Sequence, residues 1–320
     1  MNSRDDPSGL VLSIAAVERD TGIGKDTLRV WERRYGFPVP GRDAHGERAY
    51  PIAQVEKLRL IKRLMDQGHR PGRIVAQSME ALQHLSRGEA SLQSSDEAGI
   101  LHPRSDLMAY IVMLQTQDHQ GLQRELLKTL SQDGLQRFVT DVVAPLTAMV
   151  GDTWARGDLA VHEEHLYTEC VMTLMRQAIL ALPKPANGGE PSVLLTTFPQ
   201  EAHGLGLLMV ESLLTLQGCR CVSLGTQTPV RDIAQAAMAH RADVVALSFS
   251  ANMKPNPVVD GLTELNLLLP ASSQIWVGGQ ASALRRRQIE RVVVLHDLNS
   301  ITDAVNHWRR HKAASDHAAT

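Results

Sequence analysis

Glu201-Ala202-His203-Gly204-Leu205-Gly206 follows a short apolar run, Val193 to Phe198, that reads as a buried strand. A histidine between an acid and small residues, on the loop leaving such a strand, marks a ligand site. Two companion elements follow at set intervals. Forty-one residues separate Gly206 from Ser248, and twenty-seven lie between Ser250 and the pair Gly278-Gly279. Ser248 closes a second apolar run, Val244 to Leu247. Glycine at 206, 278 and 279 gives positions where a side chain would block a close approach or force a forbidden backbone angle. Each element alone is commonplace, since a histidine near a strand end is usually a loop or core residue and Gly-Gly usually marks a turn. Three at this spacing point to one site.

Together these elements resemble the Asp/Glu-x-His-x-x-Gly, Ser-x-Leu and Gly-Gly signature of cobalamin-binding domains. The resemblance implies a corrinoid whose flat ring docks on the carboxyl ends of a parallel sheet, where such sheets take ligands, and whose nucleotide tail enters the sheet's edge. It implies His203 as the lower axial ligand of cobalt, with Glu201 holding the other ring N–H and raising the ligand's basicity. Gly206, Gly278 and Gly279 would make room for the tail, and Ser248 would hydrogen-bond its base. Ser250 completes the cofactor-binding set but stands where the family often has Leu.

The surrounding pattern agrees. After Pro183, apolar strands near Val193 to Phe198, Cys221 to Leu224, Val244 to Phe249, Ile275 to Val277 and Val292 to Leu295 alternate with amphipathic helices, among them His203 to Gln217, Pro229 to His240 and Ser300 to His311. Such alternation predicts a parallel sheet covered on both faces, here a Rossmann-like (flavodoxin-like) domain over residues 185–312. Residues 313–320, AASDHAAT, read as a disordered tail.

At 320 residues the chain is long enough for two or three domains, each with its own core. Hydrophobic residues make up 43% and charged ones 21%, as in ordinary globular proteins. No apolar run approaches the roughly 20 residues of a membrane helix, and the start, MNSRDDPSGL, lacks the form of a signal peptide. A cytoplasmic protein with no membrane partner is expected. Cys170, Cys219 and Cys221 form no Cys-x-x-Cys pair, which indicates neither a disulfide frame nor a structural zinc; Cys219 and Cys221 read as strand packing.

The net charge of −2 conceals an asymmetry, because Ser13 to Ser78 holds 13 Lys/Arg against 8 Asp/Glu. A basic segment joined to an acidic remainder suggests a nucleic-acid reader coupled to something else. Residues 1–10 read as a solvated arm. Ser13 to Thr21 forms a short amphipathic helix with Ser13 as cap, Gly22-Ile23-Gly24 a turn, and Lys25 to Tyr35 a second helix that turns Leu28 and Trp31 inward. This is a helix-turn-helix, whose second helix enters the major groove. Lys25, Thr27, Arg29, Arg33 and Arg34 are its candidate DNA contacts. The Pro- and Gly-containing stretch Gly36 to Tyr50 forms a wing from which Arg42, Arg48 and Tyr50 reach phosphate, and a helix from Ile52 to Gln67 carries a core stripe. Through Thr27-Leu-Arg-Val-Trp-Glu-Arg-Arg-Tyr-Gly36 and Arg48-Ala-Tyr50, residues 11–78 resemble the MerR family of winged-helix regulators. That implies a DNA-binding dimer on double-stranded operator DNA with an inverted repeat.

Residues 79–105 lose their period and gain Ser, Gly, Gln and Asp, the composition of a flexible linker. From 106 to 184 apolar residues recur at helical spacing, predicting a four-helix bundle. The whole is thus a multidomain α and α/β chain: winged helix-turn-helix, four-helix bundle and parallel sheet. Within the bundle, Trp154 precedes Glu164-His165 by nine residues. Alone these read as a core aromatic and a helix-start carboxylate. Placed before the corrinoid signature, they resemble the Trp-x9-Glu-His motif of the cobalamin-dependent MerR photoreceptors of the CarH and LitR type, in which a helical cap covers the corrin's upper face. The resemblance implies that Trp154 shields the group above cobalt, bordered by Glu164 and His165.

The expected function is a DNA-binding transcription regulator, a repressor without catalytic residues, in which adenosylcobalamin sets the oligomeric state (dimer or tetramer) and light breaks the assembly. Methylcobalamin or another corrinoid is the alternative cofactor. Some family members carry His directly after the motif Trp; here it is Ala155, with His162 and His165 nearby in sequence. A light-independent cobalamin sensor or protein-regulated repressor is therefore a second expectation. A corrinoid methyl carrier is a third, disfavoured because such a carrier has no use for a winged helix.

Overall fold

The computed structural model describes residues 11–43, 46–66, 69–85, 105–183, 189–251, 253–286 and 289–318. They form two compact units, one of the described residues up to 85 together with 152–159, the other of the described residues from 105 to 151 and from 160 to 318. The arm expected at 1–10 lies outside the described residues, as does most of the expected linker, 86–104.

In the first unit, strand β1 (Val11–Ser13) leads into helix α1 (Ile14–Thr21), where the Ser13 hydroxyl accepts the Ala16 N–H at 3.3 Å. Gly22, at φ 68°, ends α1 in the left-handed conformation that suits glycine. Helix α2 (Lys25–Tyr35) follows, its first N–H held by the Glu18 carboxylate at 3.1 Å. Strands β2 (Gly41–Arg42) and β3 (Arg48–Pro51) complete an antiparallel sheet of order β1-β3-β2. Helix α3 (Ile52–Asp66) buries Val55, Leu58, Ile61 and Leu64 against Val17, Leu28 and Trp31. After the short α4 (Pro71–Ile74), residues 79–85 form a further helix, α5, whose Leu82 is fully buried in the same core. This corrects the linker expected to start at 79. The polar composition of the segment hid two apolar residues, Leu82 and the partly buried Met79, that pack from a short helix.

The second unit opens with helices α6 (Ser105–Gln115) and α7 (His119–Arg137), the latter broken at Gly134 by a positive φ of 75°. A π-helical turn, Phe138–Val143, continues into α8 (Ala144–Arg156), and α9 (Val161–Ala181) follows. Counting the break at Gly134, four helical segments occupy the stretch expected to form a bundle. Tyr167 of α9 is buried and its hydroxyl lies 2.7 Å from that of Thr147. The end of α8 and the turn after it, 152–159, group with the first unit.

A parallel sheet of β4 (Ser192–Thr196), β5 (Arg220–Gly225), β6 (Val244–Phe249), β7 (Gln274–Gly279) and β8 (Val292–Leu295) has the order β5-β4-β6-β7-β8. Every residue of β4 is buried, as expected of a central parallel strand covered on both faces. Helices α10 (Leu205–Leu216) and α14 (Ser300–Ala318) pack together, and α11 (Val230–Ala239) packs on α12 (Pro255–Leu268). Between β7 and β8 lies a short helix, α13 (Ala283–Arg286). Sequence reading did not delimit α12, whose two prolines obscure a helix that buries Val258, Leu262 and Leu265. Pro255 sits in the first turn, where its missing N–H costs nothing. The tail expected to be disordered continues α14 to Ala318, because nothing between His311 and Ala318 breaks a helix.

Candidate functional site

The strand order of the parallel sheet is that of a doubly wound fold in which the chain reverses direction between β4 and β6. Ligands bind in the crevice outside that switch point. The loop after β4 carries Glu201 and His203, and the end of β6 carries Ser248 and Ser250.

Glu201 is 1% exposed at its side chain, whereas His203 is 65% exposed. One carboxylate oxygen of Glu201 accepts the His203 backbone N–H at 3.0 Å and meets its ring Nδ1 at 2.6 Å. The other accepts the Ser250 backbone N–H at 2.7 Å. Burial by itself would push the Glu201 carboxyl up, but the bonds from His203 and Ser250 outweigh it and hold its pKa below the ordinary value. An ionised carboxylate in this position makes Nδ1 the protonated nitrogen, which directs the lone pair to Nε2, the nitrogen through which the ring could ligate a metal.

Two of the three glycines leave little room for a side chain. A Cβ at Gly206 would sit 3.0 Å from the Ser248 hydroxyl. In the β6–β7 register Ser248 pairs with Gly278 and Phe249 with Gly279. Gly279 has φ +110°, and a Cβ there would come within 2.0 Å of the Phe249 carbonyl oxygen. At Gly278 the nearest neighbour of a Cβ is 3.6 Å away, an ordinary contact. The Ser250 hydroxyl is buried beside the Glu201 carboxylate. An oriented imidazole and a cradle lined by glycine and serine fit a corrinoid. The fold thus gathers Glu201, His203, Gly206, Ser248, Ser250, Gly278 and Gly279 at the carboxyl ends of β4, β6 and β7.

Sequence reading missed the threonines beneath this loop. The Thr197 hydroxyl donates to the Glu201 carbonyl at 2.6 Å and accepts the Gln227 N–H at 2.8 Å, while the hydroxyls of Thr196 and Thr228 are 2.7 Å apart. In the sequence Thr196 and Thr197 stand inside the apolar run Val193 to Phe198. The signal was a pair of hydroxyls at the point where that run becomes a loop.

At the start of α9 the Glu163 carboxylate accepts the Ala160 N–H at 2.7 Å and the Gln117 amide N–H at 3.1 Å. Glu164 meets His165 Nδ1 at 2.7 Å and accepts the Thr168 hydroxyl at 2.9 Å. His165 remains largely exposed. Trp154 is half-buried near the end of α8, in the segment that groups with the first unit, so the two halves of the Trp-x9-Glu-His pattern fall in different units.

In the first unit, Thr27, Arg29, Arg33, Arg34 and Arg42 are exposed. Arg29 bonds to Asp26 at 3.0 Å, Lys25 pairs with Glu18 at 3.4 Å, and the Arg42 guanidinium donates to the Gly46 carbonyl at 2.8 Å. Arg48 is held by Glu32 at 3.0 Å. Tyr50 departs from expectation. Its side chain is 0% exposed and belongs to the core of α1, α2 and α3, and burial raises its phenol pKa. A ring in that position supports the wing from within and does not extend outward to phosphate.

Comparison with known proteins agrees with both units. Residues 12–76 match the family described as "MerR HTH family regulatory protein", and residues 191–302 and 107–179 match two families described as "B12 binding domain". The "HTH-type transcriptional repressor CarH" of Myxococcus xanthus is 31% identical over 276 residues, 85% of this chain and 90% of that protein. The "HTH-type transcriptional repressor CarA" of the same organism is 30% identical over 273 residues, 84% of this chain and 87% of that protein. Among solved structures, the Methanosarcina barkeri monomethylamine corrinoid protein shares the fold, with a TM-score of 0.50 at 18% identity, over 61% of this chain and 94% of that one. Among the described residues no helix is long and apolar enough to cross a membrane. A DNA-reading unit joined to a cobalamin-binding unit, with this similarity along most of the chain, places the protein in the MerR family, among the cobalamin-dependent DNA-binding regulators of the CarH type.

Proposed function

We propose that this regulator is a cytoplasmic repressor that holds operator DNA as an oligomer, that adenosylcobalamin favours the DNA-holding assembly, and that light dissolves it. The observation that carries the reading is the buried Glu201 carboxylate, which orients His203 so that its Nε2 would hold cobalt. Gly206, Ser248, Ser250, Gly278 and Gly279 take the tail. Glu164 and His165 would border the bound cofactor, and Lys25, Thr27, Arg29, Arg33, Arg34, Arg42 and Arg48 would hold DNA. When bound, adenosylcobalamin supplies a cobalt–carbon bond that light can cleave. The coupling is linkage: a ligand with higher affinity for the assembled form shifts the population toward it, by no more than the difference in affinity. The two Myxococcus relatives, both named as repressors, support the sign of the regulation.

Ala155, directly after Trp154, favours a second reading. Its methyl group has no lone pair to offer a metal after illumination, so the chain could answer to cobalamin supply alone. One experiment separates the two. Protein loaded with adenosylcobalamin in darkness is compared with an illuminated sample by absorbance, size-exclusion chromatography and gel shift. A photoreceptor changes its spectrum, its size and its DNA affinity together. Loss of DNA affinity on removing cobalamin but not on illumination assigns the light-independent sensor, and unchanged DNA affinity in both cases refutes the cofactor's role.

A further inference from the structure

Helix α2 is strongly polar and basic, yet one branched apolar side chain stands on its outer side. Leu28 and Trp31 are buried and Tyr35 half-buried, which fixes the inward face. At 3.6 residues per turn the opposite face consists of Asp26, Arg29, Val30 and Arg33. Val30 is 42% exposed there. Helix formation does not favour it, since a β-branched residue is a poorer helix former than the alanine, lysine or glutamine that would suit a solvated face. Beside it, Arg29 is tied along the helix by Asp26, itself 94% exposed, at 3.0 Å.

We propose that Val30 reads the 5-methyl group of a thymine in the major groove, within a half-site whose neighbouring contacts are made by Arg29 and Arg33. The inference rests on the DNA-binding assignment and adds a specificity-determining residue to it. The thymine methyl is the one apolar group that a base pair presents in that groove, and an apolar side chain is the group that recognises it. The adjacent guanidinium groups supply the charge complementarity that brings the face of α2 against DNA. Phosphate contacts alone would not require an apolar side chain at the centre of that face.

The test uses the full-length protein loaded with adenosylcobalamin and kept in darkness. A duplex is selected from a library with a randomised core, and each of its thymines is then replaced singly by deoxyuridine, which deletes only the methyl group. Affinities are measured by fluorescence anisotropy at one salt concentration for wild type, Val30→Ala and Val30→Thr. At one thymine in each half-site, wild type should lose about fourfold in affinity, the scale of removing one buried methyl group. Val30→Ala should be indifferent at that position alone, and Val30→Thr, which keeps a methyl, should retain sensitivity. Val30 lies outside the first unit's core and alanine favours the helix, so equal thermal midpoints will show that the variants fold. Identical deoxyuridine profiles for wild type and Val30→Ala would overturn the assignment while leaving DNA binding intact. Failure of wild type to select any duplex would instead refute the DNA-binding assignment on which it rests.

Discussion

At the scale of single residues, the cofactor assignment turns on two side chains with opposite surroundings. His203 is mostly exposed and makes little core contact, so His203→Ala should leave far-UV circular dichroism unchanged while abolishing retention of the cofactor's colour after desalting in the dark. Glu201→Ala should behave differently. It strips the buried acceptor from three N–H groups, two of His203 and one of Ser250, which predicts a loss of about 1–3 kcal/mol in chemical denaturation as well as a loss of cofactor. The cysteines make a separate prediction. Burial raises the Cys219 thiol to about 11 and the Cys221 thiol to about 12, so at pH 8 almost none of either is thiolate, the reactive form. Iodoacetamide at that pH should modify both slowly in the folded protein and readily once urea unfolds it.

At the scale of elements, Gly278 and Gly279 stand side by side in one motif yet answer to different constraints. Gly279→Ala places a Cβ against the Phe249 carbonyl at a positive φ, and should cost about 1–3 kcal/mol in thermal or urea unfolding by strain at the β6–β7 end. Gly278→Ala meets only ordinary contact and should leave the unfolding midpoint nearly unchanged while impairing cofactor uptake, if the tail passes there. The α5 helix yields a comparable test. Leu82 is fully buried in the first unit's core, so Leu82→Ala should destabilise that unit by about 2–5 kcal/mol. A residue of a flexible linker would show no such effect. The composition of 79–105 concealed α5 because Met79, Leu82 and Leu85 span too short a stretch, in too polar a segment, to establish a period, and whether Leu82 is buried depends on a core assembled from residues far away in sequence.

At the scale of the whole molecule, the basic first unit and the acidic remainder divide the labour. DNA affinity should fall linearly with the logarithm of salt concentration, and Arg33→Ala should flatten that slope if the residue neutralises a phosphate. Saturation with adenosylcobalamin at about 100 times its Kd should stabilise the second unit by about 2.7 kcal/mol, a gain that His203→Ala should erase. The sequence alone was sufficient for the helix-turn-helix, for the alternation that becomes a parallel sheet and for the loop bearing Glu201 and His203. These depend on local periodicity, on caps and breakers, and on residue types at short spacing, all of which a linear text records. The burial of Tyr50, the anchoring of Leu82, the Thr197 support beneath Glu201 and the contrast between Gly278 and Gly279 were decided only by tertiary structure. Each is a distance between segments remote in the chain, and pattern within a segment carries no information about which distant backbone or side chain will come to lie against it.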